Sequence, residues 1–189
     1  ISNFFSTDIL KNLVYVVVAL LVLFGPFAQG KSLFARSMES KDRMFNTQFP
    51  GLDVAGYYIR DHSQTNERIF HSSGQSFGVL WHADRKGYKG SNIPDEYRFA
   101  EDNLNVSWVF AYQWGIATFL QNPESLNYLQ NNYKLVQFAF TPSNNQPLYF
   151  LFQKGGTSNL TTLNDQINSH PHKSYTYTRG ISSGFLILI

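Results

Sequence analysis

Val106-Ser107-Trp108-Val109-Phe110-Ala111-Tyr112 is an almost unbroken apolar run. A strand with one wet face alternates apolar with polar residues, so this run fits a strand covered on both faces. Period two places Trp108 and Phe110 on the same face. Upstream, Arg68-Ile69-Phe70-His71 reads as a shorter strand, and Ser72-Ser73-Gly74 turns it into a helix with Phe77, Leu80 and Trp81 on one face. Earlier still, Leu52, Ala55, Tyr58, Ile59 and His62 recur at helical spacing and predict an amphipathic helix over 52–62. A helix–strand–helix unit of this kind builds layered α/β folds.

Downstream of these elements the punctuation becomes clearer. Asp84–Asp95, with Gly87, Gly90 and Pro94, reads as a polar loop, and Glu96–Asn103 as a helical turn. Asn122-Pro123-Glu124 is a helix start: a capping side chain, proline at the first position, then an acid beside the positive helix end. Leu126 and Leu129 give that helix its buried face. Lys134–Phe140 and Leu148–Lys154 are aromatic-rich strands joined by a polar link rich in Pro and Asn, which predicts an antiparallel hairpin stopped by Gly155-Gly156. Thr161–Ser169 reads as one more small helix and Tyr175–Thr178 as a further strand.

Asn12–Gly30 contains no charged side chain and is mostly Val, Leu, Ala, Phe and Tyr. Crossing a hydrocarbon core takes about 20 such residues at a rise of about 1.5 Å each, which this stretch just meets. Lys11 and Lys31 bracket it, with stems long enough to snorkel. A cleaved signal peptide fits less well, because Pro26-Phe27-Ala28 is a poor cleavage site. The expected organisation is a flank (1–11), a transmembrane helix (12–30), a basic connector (31–49), an α/β domain (50–180) and an apolar terminal segment (181–189). The fold class is α/β: one N-terminal transmembrane helix, then a small layered domain with a mostly parallel sheet and an antiparallel edge hairpin. Opening at Ile1 and closing on Phe185-Leu186-Ile187-Leu188-Ile189, the sequence reads as a piece of a longer protein.

Composition excludes several functions. A net charge of +2 across 189 residues, with no basic stripe, argues against nucleic acid as a partner. The absence of cysteine removes disulfides and thiolate metal sites. His170-Pro171-His172 looks like a metal pair, yet no regular period aims both rings to one side around a proline, so no metal is expected. Asp84, Asp95, Glu96, Glu101 and Asp102 crowd a polar loop, whereas acid–base catalysis needs two carboxyls held at a fixed separation. No phosphate loop, nucleophile elbow or zinc-protease motif is present. The expectation is therefore no cofactor and no catalytic residue within the chain. Ligands of open α/β sheets gather at the carboxyl ends of the strands. Two such ends carry the candidate binding residues: His71, Ser72, Ser73 and Gly74 after one strand, and Tyr112, Gln113 and Trp114 after the other. The helix start after Gly74 would offer N–H groups to an anion, and Tyr112 and Trp114 would offer stacking faces. The plainer reading gives His71 and the serines a structural role in an ordinary strand-to-helix turn.

The order of features also resembles a known class. An apolar span, a basic connector, then GLDVAGYYIRDHSQTNERIF (51–70), NVSWVFAYQWG (105–115) and NPESLNYLQNNYKLVQFAF (122–140) resemble the tail of multi-pass membrane glycosyltransferases that use polyprenyl-phosphate sugars. These include the protein mannosyltransferase-like and lipid A aminoarabinose transferase-like enzymes. The likeness covers about residues 10–155 as an order of elements. It implies an accessory, non-catalytic extracytoplasmic domain, because the acidic catalytic residues of that class lie in an early outer loop outside this chain. The implied partners are membrane lipid, a polyprenyl-phosphate sugar, and a glycan or protein acceptor. The basic residues after the span point the other way under the positive-inside rule, which is weak for one span and for long domains. Two alternatives stand beside this one: a ligand-binding or interaction ectodomain on a single-pass anchor, and a membrane-tethered hydrolase using acids of the 84–102 region.

Overall fold

The computed structural model describes residues 7–140, 146–161, 176–178 and 181–183, and within these the side chains of all but 7–10, 26–29, 31, 75, 114 and the last six. The chain divides into two compact units, Ile1–Arg43 and Met44–Ile189.

The first unit is dominated by α1 (Thr7–Thr47), a single helix of 41 residues. From Leu13 to Phe24 its large apolar side chains are 47–70% exposed, all round the helix. A helix that is apolar on every side normally lies inside protein or lipid. Among the described residues no helix is long and apolar enough to cross a membrane. The expected basic connector continues this helix, with Arg43 within 3.7 Å of Glu39 one turn back.

The second unit is built on a mixed five-stranded sheet. Its strands are β1 (Arg68–His71), β2 (Gly87–Lys89), β3 (Val106–Tyr112), β4 (Tyr133–Phe140) and β5 (Pro147–Lys154), in spatial order β2-β1-β3-β5-β4. β2, β1 and β3 run parallel, and β5 lies antiparallel between β3 and β4. The sheet is thus parallel on one side and closes with the expected antiparallel hairpin on the other. Helices α2 (Leu52–His62) and α3 (Phe77–Ala83) cover one face, while α4 (Pro94–Leu104), α5 (Ile116–Leu120) and α6 (Pro123–Asn132) cover the other. Period two along β3 divides the core: Trp108, Phe110 and Tyr112 pack toward α2 and α3, and Val109 and Ala111 toward α4 and α5. Arg85 ties the ends of α2 and α3 together by donating to the carbonyls of Arg60, Ser63, Ala83 and Asp84. The start of α6 is as expected, with Asn122 Oδ1 accepting from the N–H groups of Glu124 and Ser125.

Three expectations need correction. The stretch Asp84–Asp95 is not a simple loop, because it holds β2 and the start of α4, which runs to Leu104. β2 was hidden by its brevity and by pairing with β1 alone, with Phe70 opposite Tyr88 and His71 opposite Lys89. On α3 the aromatic face points outward: Phe77 is 65% and Trp81 83% exposed, and Val79 and Ala83 face the core instead. The helix α5 was not anticipated at all. Of the last predicted elements, β6 (Thr176–Thr178) pairs with β7 (Ile181–Ser183), whereas the helix expected over 161–169 lies almost wholly outside the described residues.

Candidate functional site

The connections around β1 create the site. From β1 the chain passes through α3 on one face to β2, then returns through α4 on the other face to β3, on the far side of β1. A reversal of this kind leaves a crevice at the carboxyl ends of the two diverging strands, where ligands of open α/β sheets bind. His71 at the end of β1 lies opposite Phe110 of β3, so the two predicted strand ends are neighbours. Between them opens a cleft of about 540 Å³.

Three strand ends furnish its walls: Ser72 and Ser73 after β1, Lys89 at the end of β2 with Ser91 and Asn92 after it, and Gly115 after β3 with Thr118 in α5. Two glycines permit the close fit. A Cβ on Gly115 would stand 2.9 Å from Ser72 Oγ, and one on Gly90 would stand 2.3 Å from Glu96 Oε2 and 2.8 Å from the Phe70 ring. Of the residues expected here from the sequence, Ser72 and Ser73 line the cleft, Tyr112 and Gln113 do not, and the loop after β2 was not anticipated.

That second loop is held by Asn92, which is only 8% exposed. Its Nδ2 donates to Ser72 Oγ at 3.1 Å, and its Oδ1 accepts from the Tyr97 hydroxyl at 3.1 Å. The Asn92 carbonyl accepts from Asn122 Nδ2 at 3.0 Å and also from the Ser125 hydroxyl. On either side, Gly90 N donates to the His71 carbonyl at 3.1 Å, and Ser91 N donates to Glu96 Oε2 at 2.5 Å. Burial holds the Tyr97 hydroxyl well above its ordinary pKa, with nearby Glu96 adding to the effect, so the phenol stays a donor. The loop is therefore bonded to β1, α4 and α6 before any ligand arrives, the kind of support that keeps a binding geometry fixed. The signals that could have revealed it were Gly90 closing a short strand and Pro94 opening a helix.

The other predicted site residues divide differently. Ser72 and Ser73 line the cleft, and Gly74 begins a 3-10 turn (Gly74–Ser76). In that turn Ser76 N donates to the Ser73 carbonyl, and α3 begins only at Phe77 and lasts 7 residues. The anion-binding helix start expected after Gly74 is accordingly not formed. His71 is buried with its Nδ1 3.1 Å from the Ser73 carbonyl and its ring against Phe77. Burial pushes its pKa down, outweighing the Ser73 hydrogen bond that raises it, and nearby Lys89 lowers it further; facing a carbonyl, Nδ1 is the donor. His71 supports the turn from the α3 side. Tyr112 offers no stacking face: it is fully buried, packs on Phe110, and donates to the Pro50 carbonyl at 2.9 Å. Parity is the cause, since it shares the Trp108 face of β3. Gln113 follows at φ 21, a conformation that non-glycine residues rarely hold. The side chain of Trp114 lies outside the described set.

The acids of 84–102 do not converge. Asp95 pairs with Arg98, Glu96 receives Ser91 N, and Glu101 accepts from the hydroxyls of Tyr128 and Tyr133 while meeting Lys154 at 2.9 Å. Glu96 is the one carboxylate lining this cleft among the described residues. No cluster of three metal-ligating side chains occurs among the described residues, and His170 and His172 lie outside them. The arrangement offers hydroxyls, an amide, one cation and one anion. It can bind a small polar molecule by hydrogen bonds.

Comparison with family models, curated proteins and solved structures found no match. The functional reading therefore rests on the cleft itself.

Proposed function

We propose that this chain is the accessory, non-catalytic domain of a membrane glycosyltransferase-like protein, and that its β1/β3 cleft holds a sugar unit of the donor or acceptor. The observation that carries the reading is the cleft lining: Ser72, Ser91 and Thr118 with Lys89 and Glu96, around a fixed loop. Hydroxyl, amide and charged side chains match the alternating donors and acceptors of a polyhydroxylated ligand. Lys89 suits a phosphate on that sugar, as the polyprenyl-phosphate donors of the resembling class would carry. The dispersed acids support a binding role over hydrolysis. The exposed apolar side chains of α1 support reading Asn12–Gly30 as the anchor, and the resembling class places such a domain on the extracytoplasmic side.

A second reading, a ligand-binding or protein-interaction ectodomain on a single-pass anchor, uses the same cleft. The coding sequence upstream of Ile1 separates the two: many hydrophobic spans with an acidic early outer loop support the first, and a start codon just before Ile1 supports the second. The cleft itself is tested by calorimetric titration of the full chain in detergent micelles with common hexoses, N-acetylhexosamines and their 1-phosphates. Binding weakened about tenfold by Lys89→Ala for the phosphates is expected. Failure of every one of these ligands to bind the folded chain would remove the proposal.

A further inference from the structure

The cleft does not end at Asn92. Two further hollows of about 670 and 550 Å³ continue from it along the edge formed by α4 and α6. The first shares Ser91, Asn92 and Thr118 with the cleft, and the second shares Ile93 and Glu124 with the first. Shared walls in this order describe one groove that starts at the carboxyl ends of β1 and β3 and runs onto α6.

Its far wall is built by helix periodicity. Glu124, Asn127 and Asn131 stand three and four residues apart on α6, so they form one stripe. Both residues are exposed, and Asn131 Nδ2 donates to Asn127 Oδ1 at 3.0 Å, a bond that uses the Asn127 oxygen and not its amino group. Opposite them, the Arg98 guanidinium lies 5.1 Å over the Tyr128 ring and is held by Asp95 at 2.8 Å. Tyr128 in turn stacks on Tyr97, the residue that anchors Asn92. The far hollow and the cleft thus share a rigid support.

The chemistry of the lining selects the occupant. Lys89 and Arg98 face Asp95, Glu96 and Glu124 along the groove, a near balance that suits neither a polyanion nor a polycation. Beside the polar groups the lining holds Ile93, two prolines and parts of Tyr88 and Tyr128, the mixed wall of a sugar site rather than the continuous apolar wall of a lipid or peptide-anchor pocket. What remains is a row of hydroxyls, amides and single charges. We infer that the groove binds an extended polyhydroxylated chain, an oligosaccharide with one end unit in the β1/β3 cleft and its following units along α6. This rests on the reading of the cleft as a sugar site and adds its direction and length.

The experiment uses the full chain in micelles, titrated with linear gluco-, manno- and N-acetylglucosamine oligomers from single units upward. Affinity should rise by about tenfold or more from single units to the longer oligomers. Asn127→Ala with Asn131→Ala, both exposed and both helix-favouring changes, should remove about tenfold for the longer oligomers, with the loss confined to them. Oligomers that bind no tighter than single units, or an α6 variant that binds them as well as the parent, would overturn the groove and leave the cleft reading standing. Binding of none of these sugars would overturn both.

Discussion

Asn92→Ala deletes one carboxamide and leaves the backbone of its loop in place, because the Asn92 carbonyl keeps its bonds from Asn122 and Ser125. Two side-chain bonds disappear: the donation to Ser72 Oγ and the acceptance from the Tyr97 hydroxyl. The losses are unequal. Ser72 lines the open cleft, so water can replace its partner at a net cost of about 0.5–1.5 kcal/mol. Tyr97 is fully buried, and its orphaned hydroxyl costs about 1–3 kcal/mol. The substitution should therefore destabilise the second unit by about 1.5–4.5 kcal/mol. A double-mutant cycle with Tyr97→Phe isolates the larger part, since the double variant no longer contains the orphan. Measured by urea unfolding in micelles, the double variant should be more stable than the sum of the singles by about 1–2 kcal/mol. Additivity within about 0.5 kcal/mol would refute the bond, and with it the claim that the loop is organised before ligand binding.

Other consequences follow from the core and from titration. Trp108→Ala or Phe110→Ala, each buried on the α2/α3 face, should cost about 3–5 kcal/mol in the same unfolding assay; a loss under about 1 kcal/mol from both would mean that β3 is not a central strand. Gly90→Ala should cost about 1–3 kcal/mol, because its Cβ would stand 2.8 Å from the buried Phe70 ring; an unchanged midpoint would show that the loop can yield. His71 has its pKa lowered below 6.5 in the folded chain, so below 6.5 the unfolded chain takes up a proton that the folded chain resists. Its contribution is whole above that pH and is lost progressively as pH falls below it, and His71→Gln should flatten stability below pH about 6.5. An identical pH profile for parent and variant would count against it.

The parts of the fold legible in the sequence were those where both faces of an element speak. β3 announced itself because helices cover it on both sides, and α6 because Asn122 and Pro123 mark its start chemically. β2 was silent: three residues on an edge, paired along one side only, carry no period that can be read. α3 misled because amphipathicity assumes that aromatic residues face inward, whereas Phe77 and Trp81 face out. At the site, the serines after β1 were legible from strand-end logic alone. Tyr112 could have been excluded by the same parity that pairs Trp108 with Phe110. Asn92 could not be found, because its importance comes from contacts with Ser72, Tyr97, Asn122 and Ser125, residues up to 33 positions away.

The most direct measurement is amide chemical-shift mapping of the full chain in micelles during titration with N-acetylglucosamine 1-phosphate and a longer N-acetylglucosamine oligomer. The account predicts that shifts concentrate at Ser72, Ser73, Ser91, Asn92, Gly115 and Thr118 for the monosaccharide, and extend to Asn127 and Asn131 for the oligomer. Shifts that leave these residues untouched, whether centred elsewhere on the sheet or absent altogether, would contradict it.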